Sequence, residues 1–405
     1  MDTDPKPDGN PSPFPLIYLI DRLVPSETFI WREVEQLRRR DWHLYTWTLK
    51  GGNSPLPFSS RNCLAGLRWR FFRIASKRIS SELFRNPVSA LRILHRLPQA
   101  ATLVGKTLQD DCQLIHAEFA GITADLAGIA AETLRIPWSC AVHAHDVFTR
   151  TPRQIWRRLR TAVRIVACSH QAARRVLEAG YPADQIDVIH HGLRLNDFCF
   201  DSFLRERTFF TACRLSPKKG IDTLLQSCRI LQDRGREFSC VIAGDGPLQS
   251  QLEQLRNRLG LRETVEFIGW QSQESIRFRI QDATLLILPS RRTKDGDRDG
   301  IANILVESMA LGTPVLTTTA GAAGELITDE ETGFLVPPDN PEKLAERMER
   351  ALLHPESLQP LIRKARQTIE DRFDGHRNVQ ALETFFHRCL GKAGCTARTA
   401  YSSES

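Results

Sequence analysis

Long apolar runs are missing from this 405-residue chain, and none approaches the roughly 20 residues a membrane-spanning helix needs. Missing too is the basic-then-apolar opening of a secretory leader. Residues 1–14 lie within MDTDPKPDGNPSPFP, an acidic, proline-rich stretch that reads as disordered. The ten cysteines include no CxxC pair, which argues against a zinc site. Several fall inside apolar, strand-like runs, where a thiol acts as a small buried hydrophobe. Reduced thiols, no metal and a cytoplasmic address are the expectation. No internal repeat is evident, nor a helix-turn-helix or finger motif, and the full dinucleotide fingerprint is absent.

Acids are scarce in one place. Between Arg61 and Arg96, nine Arg and Lys side chains face a single acid, Glu82, with Trp69, Phe71, Phe72, Ile74, Leu83 and Phe84 interleaved. This pattern suits contact with an anionic membrane surface, and equally a solvated helix pair with an arginine-rich outer face. Nucleic acid is not an expected partner, because no recognition motif accompanies the charge.

What is present points to α/β architecture. A chain of this length with 41% hydrophobic residues is expected to form two domains. Strand candidates in the first half are PLIYLI, LYTWTL, CQLIHAEF, WSCAVH and VRIVAC, with helical patterns such as ETFIWREVEQLRRR and ITADLAGIAAETL between them. After a turn-rich stretch the second half restarts with TFFTAC, FSCVIAGDG, TVEFIG, TLLILPS, TPVLTTT and GFLVPP. The alternation predicts two αβα domains facing each other across a cleft. Their bounds are 15–195 and 208–374, with a linker at 196–207, a helix at 375–390 packing back on the first domain, and a disordered tail at 391–405.

Ligands of such sheets sit at the carboxyl ends of strands. AGDGP places Gly244 at one strand end, a weak signal because any tight turn favours glycine and aspartate. CRLSPKKGID sets Arg214, Lys218 and Lys219 ahead of a helix opened by Gly220; it suits a diphosphate clamp, or a basic loop that caps the strand end. DGDRDGIANILVESM places Asp299 just before a helix that starts at Gly300, with Glu307 roughly 10 Å along it. Free amides there could hold phosphate oxygens while the two carboxylates take sugar hydroxyls. An N-cap role for Asp299 and a surface role for Glu307 are the alternatives, although Glu307 lies in a largely apolar helix.

In these motifs the chain resembles the retaining glycosyltransferases of the GT-B superfamily, group 1, colanic-acid or exopolysaccharide type. GLRLNDF, AGDGP, PSR, ESMALGTPV, GELI and TGFLVP stand in that family's order, and VPSETFIWREVEQLRRRDW and IHAEFAGITADLAGIAAETLRIPWSCAVHAHDVF match its first half. The resemblance implies a GT-B fold and metal-independent transfer from a nucleotide-diphosphate sugar to a glycan or lipid-linked hydroxyl, without a cofactor. It assigns His143 and Asp299 to catalysis, with His145 competing for the role of His143. Arg214, Lys219, Gly244, Gly300, Ile301, Asn303, Ile304, Leu305 and Glu307 fall to donor binding, and Ser26, Glu27 and His116 to the acceptor or phosphate loop. The family usually carries glutamate where Asp299 stands, proline at Ala302 and GGxPE at GAAGE. The shorter Asp299 motivates a second reading, a donor-binding subunit without turnover.

Overall fold

The computed structural model describes residues 15–21, 28–49, 64–84, 86–201 and 207–391. The chain divides into two compact units. The first holds the chain up to Cys168, Ala172–Ile189 and the chain from His376 onward; the second holds Ser169–Gln171 and His190–Gly375.

The first unit is built on β1 (Leu16–Ile20), β2 (Leu44–Thr48), β3 (Leu114–Glu118), β4 (Trp138–Val142), β5 (Arg164–Ala167) and β6 (Ile186–Val188). They lie in the order β2-β1-β3-β4-β5-β6, and every pairing is parallel. Near-continuous apolar strands fit this arrangement, because helices cover both faces. Ile17 and Leu19 point into a core shared with Ile93 and Leu103, while Leu16, Tyr18 and Ile20 meet Phe385 and Phe386 of the helix Gly375–Gly391.

The second unit repeats the plan with β7 (Thr208–Ala212), β8 (Ser239–Ala243), β9 (Val265–Gly269), β10 (Leu285–Leu288), β11 (Val315–Thr318) and β12 (Phe334–Val336). The order is β12-β11-β10-β7-β8-β9, again all parallel. Leu285 and Ile287 face one core, and Leu286 and Leu288 the other.

Among the elements not named from the sequence are a short strand and a half-exposed helix. The strand Ile186–Val188 is a three-residue edge, and the helix Gln273–Gln281 buries only Ile280. Of the segment expected to link the domains, residues 202–206 lie outside the described residues. Phe198 is buried under Arg277, and the Asp201 amide donates to the Leu311 carbonyl. The basic stretch forms the helices Leu64–Leu83 and Pro87–His95; Arg61 and Arg85 lie outside the described residues. Among the described residues, no helix is long and apolar enough to cross a membrane.

Candidate functional site

In the second unit, the chain runs from β7 through β8 to β9 on one side and then returns to β10 on the other side of β7. This reversal leaves a crevice at the carboxyl ends of β7 and β10, the place where open α/β sheets take ligands. Two loops meet there. Gly220 has φ of +64°, and a Cβ on it would lie 2.0 Å from the Pro289 carbonyl oxygen. The Arg291 amide donates to the Lys218 carbonyl at 2.8 Å. Gly220→Ala is expected to cost at least about 1–2 kcal/mol from the left-handed backbone alone, plus whatever separates the loops. Thermal unfolding checks it.

That close approach brings charges together across 80 positions of sequence. Lys219 Nζ donates to Asp299 Oδ2 at 2.7 Å, and Ser290 Oγ donates to the same oxygen at 2.6 Å. Lys218 Nζ sits 3.7 Å from Asp299 Oδ1 and 3.3 Å from Asp297. Burial pushes the Asp299 carboxyl up, but the Lys219 ammonium overrides it and holds the group below its ordinary value. Burial lowers Lys219 in turn, and Asp299 more than reverses that. Arg214, on the same loop, is exposed and makes no ion pair among the described residues.

Two sequence expectations need correction here. The helix runs Asn303–Leu311 and does not start at Gly300. The Asp299 carbonyl accepts from the Ala322 amide, and Gly321, at φ +68°, lies so close that a Cβ would meet that carbonyl oxygen at 2.1 Å. Residues 299–302 are held out of the helical path, and Ala302 is extended. Gly300 and Ile301 therefore precede the helix, and the open amides are those of Asn303 and Ile304, ahead of Leu305. Glu307, half-buried, falls in the second turn, roughly 6 Å beyond Asn303. Gly244 has a structural duty as well: at φ +113°, its Cβ would lie 2.0 Å from the Cys213 carbonyl oxygen. The absent side chain admits a neighbouring strand end.

The first unit has its own reversal, between β1 and β3. Glu118 ends β3, fully buried, and accepts from Tyr18 Oη at 2.5 Å. Its other oxygen lies 2.9 Å from His143 Nε2, at the end of β4. His143 is sandwiched by Phe119 and Phe29, with ring centroids 4.3 and 5.4 Å away, and its amide donates to Asp146. Burial works against the imidazolium, yet hydrogen bonds with Cys168 and Glu118 raise His143 well above its ordinary value. Burial likewise pushes Glu118 up, and the neighbouring His116 and His143 together bring it down below the usual carboxylate range.

His116 is not in a loop. It lies inside β3, fully buried, with Nδ1 2.8 Å from Ser139 Oγ and its ring edge-on to Phe385 and Phe386. Its Nε2 stands 3.7 Å from Glu118 without a hydrogen bond. His145 is exposed in the helix that follows His143. Ser26 and Glu27 lie outside the described residues.

Residues 26–197 match Glycosyltransferase Family 4, and residues 199–368 match Glycosyl transferases group 1. The chain belongs to the group 1 glycosyltransferases. It is 25% identical over 299 residues to the amylovoran biosynthesis glycosyltransferase AmsK of Erwinia amylovora, covering 72% of this chain and 74% of that one. The structure resembles HepE of Anabaena in complex with UDP and glucose, at TM-score 0.67 and 19% identity, over 92% of this chain and 99% of the other. It also resembles a sucrose-phosphate synthase from Thermosynechococcus elongatus, at TM-score 0.70 and 17% identity, over 93% and 100%. The fold is GT-B, with two Rossmann-like domains.

Two residues were not singled out from the sequence as functional groups, Ser290 in the second unit and Glu118 in the first. Glu118 breaks an apolar strand run, and a carboxylate in a buried strand requires a cationic or donor partner. That requirement was a usable signal, and the partners are His143 and Tyr18.

Proposed function

We propose that the protein is a retaining, metal-independent transferase that moves a sugar from a nucleotide-diphosphate sugar to a hydroxyl of a glycan or lipid-linked acceptor. The setting is exopolysaccharide or cell-surface glycan synthesis at the cytoplasmic face of an anionic membrane, met through the Arg61–Arg96 region. The observation that carries this reading is the meeting of Lys219, Ser290 and Asp299 at the β7/β10 reversal, with the exposed Arg214 on the loop that carries Lys219. The UDP and glucose in the HepE complex and the biosynthetic role printed for AmsK support it.

In the reaction, the bond from the anomeric carbon to the diphosphate oxygen breaks, and its electron pair leaves on the diphosphate. A bond to the acceptor oxygen forms on the same face, and the hydroxyl proton passes to an oxygen of the leaving diphosphate. Arg214, Lys219 and the amides of Asn303 and Ile304 would stabilise the charge growing on the leaving diphosphate. Glu307 would take ribose hydroxyls, and His143, its charge fixed by Glu118, would stand at the sugar. Asp299, released in part as Lys219 turns to the diphosphate, would hold the sugar hydroxyls.

A panel of UDP-, GDP-, ADP- and dTDP-sugars tests this by thermal shift. At about 100 times its dissociation constant, the matching donor should stabilise the wild type by roughly 2.7 kcal/mol, and Glu307→Ala should lose most of that gain. No shift with any donor would sink the reading. A shift without transfer to any acceptor would favour the non-catalytic subunit, the reading motivated by Asp299 in its ion pair with Lys219.

A further inference from the structure

The first unit carries a second cationic site, which takes four of its basic residues from the basic stretch on the helix Leu64–Leu83. A cavity of about 490 Å³ is lined by Arg70, Arg73, Lys77, Arg78, Arg135 and Arg160, with Glu132 as its one carboxylate. Arg78 already pairs with Glu132 at 3.2 Å and Asp125 at 3.6 Å, and Arg70 donates to the Thr133 carbonyl at 3.0 Å. Arg73, Lys77, Arg135 and Arg160 have no carboxylate partner among the described residues.

The plainest account is that the carboxyl end of the helix Ile122–Leu134 gathers these side chains. A helix end carries only about half a negative charge, and Arg73, Lys77, Arg135 and Arg160 all stand exposed around the cavity, where an anion from outside can reach them. Arg135 is also held at φ +61°, a left-handed position where glycine would be the easier occupant. The cavity is of a size that takes small ligands, and its charge calls for a phosphate.

The surroundings identify the source of that phosphate. On the helix Leu64–Leu83, Trp69, Arg73 and Lys77 stand at successive i, i+4 positions, with the Arg73 guanidinium 5.1 Å from the Trp69 ring. Trp69 is 66% exposed and Phe72 64%. On the next helix, Leu91 and Leu94 are exposed beside the exposed Arg92. A merely solvated helix pair has no reason to display such aromatic and aliphatic groups together. Aromatic anchors beside a cation-lined cavity fit a surface that meets a bilayer.

We infer that this cavity seats the phosphate of an anionic lipid headgroup while Trp69 and Phe72 enter the bilayer interface. The inference rests on the membrane setting proposed above and gives it a specific site.

The test is co-sedimentation of the full chain with phosphatidylcholine vesicles, with and without phosphatidylglycerol. Arg135→Gly combined with Arg160→Gln removes two pocket cations, and the glycine relieves the left-handed backbone. Arg68→Gln combined with Arg92→Gln removes the same charge from equally exposed positions that do not line the cavity. Two cations lost from a diffuse layer weaken binding about thirtyfold. The pocket pair should lose at least about tenfold more than the control pair, and Trp69→Ser with Phe72→Ser should abolish retention at high salt.

Equal losses in the two charge pairs overturn the pocket while leaving a membrane surface. Wild type that ignores phosphatidylglycerol but is still stabilised by a nucleotide sugar overturns the membrane setting and the pocket, and spares the transferase. Thermal stabilisation by inorganic phosphate that needs Arg135 and Arg160, with vesicle binding unchanged in their variants, assigns the cavity to a soluble phosphate and overturns the lipid.

Discussion

Lys219→Ala is expected to lower transferase turnover by about 10²–10³-fold, the usual effect of deleting one preorganised group that meets developing charge. The same change strips Asp299 of its nearest counter-charge, because Lys219 Nζ lies only 2.7 Å from Asp299 Oδ2. A fall in activity alone could therefore reflect a disturbed loop. The combination Lys219→Ala with Asp299→Asn separates the two effects: it removes the stranded carboxylate, so thermal stability should return toward wild type. Donor-induced stabilisation should remain weak in both variants. If nucleotide-sugar binding recovers with stability, Lys219 is only a counter-ion for Asp299, and the assignment of the diphosphate to this loop fails.

A larger structural loss is expected from Glu118→Gln. Glu118 is wholly inaccessible and His143 nearly so, and removing one partner of a buried pair costs about 3–5 kcal/mol. Calorimetry of the full chain should show it as an earlier transition. Its pH dependence is specific. His143 is raised when folded, so its contribution is complete below its unfolded value near 6.5 and is lost as pH rises through the folded value. Glu118 is lowered when folded, so its contribution holds above about 4.5 and is lost as pH falls toward the folded value. The pair stabilises most between those limits. Wild type should lose stability from about pH 6.5 upward, and Glu118→Gln should show a much flatter alkaline limb. An unchanged alkaline limb in the variant would mean that Glu118 does not keep His143 charged.

The strands were legible because parallel sheets bury both faces. LIYLI and LLIL are apolar at nearly every position, and each became a strand within two residues of its expected bounds. The edge strand Ile186–Val188 was not, since three half-buried residues carry too little pattern. The motifs located the right loops, but partnership within them was hidden. Nothing local to Lys219 announces Asp299, and nothing near His143 announces Glu118, because pairing depends on which strand ends the topology sets side by side. The start of the helix at Asn303 was hidden for a related reason. The Asp299 carbonyl is claimed by Ala322, twenty-three positions later in the chain.

The route of the chain has one more consequence, for synthesis. Residues 190–375 lie between β6 and the helix Gly375–Gly391, whose Val379, Leu382, Phe385, Phe386 and Cys389 complete the core around Leu16, Tyr18 and Trp42. Trp42 Nε1 and Arg40 both donate to Glu383 of that helix. A nascent chain leaving the ribosome therefore completes the 190–375 unit first. Meanwhile the earlier-made sheet waits with one flank, including the wall beside His116, uncovered. Segments that emerge first are sealed last, so that flank is the surface most in need of chaperone protection during translation.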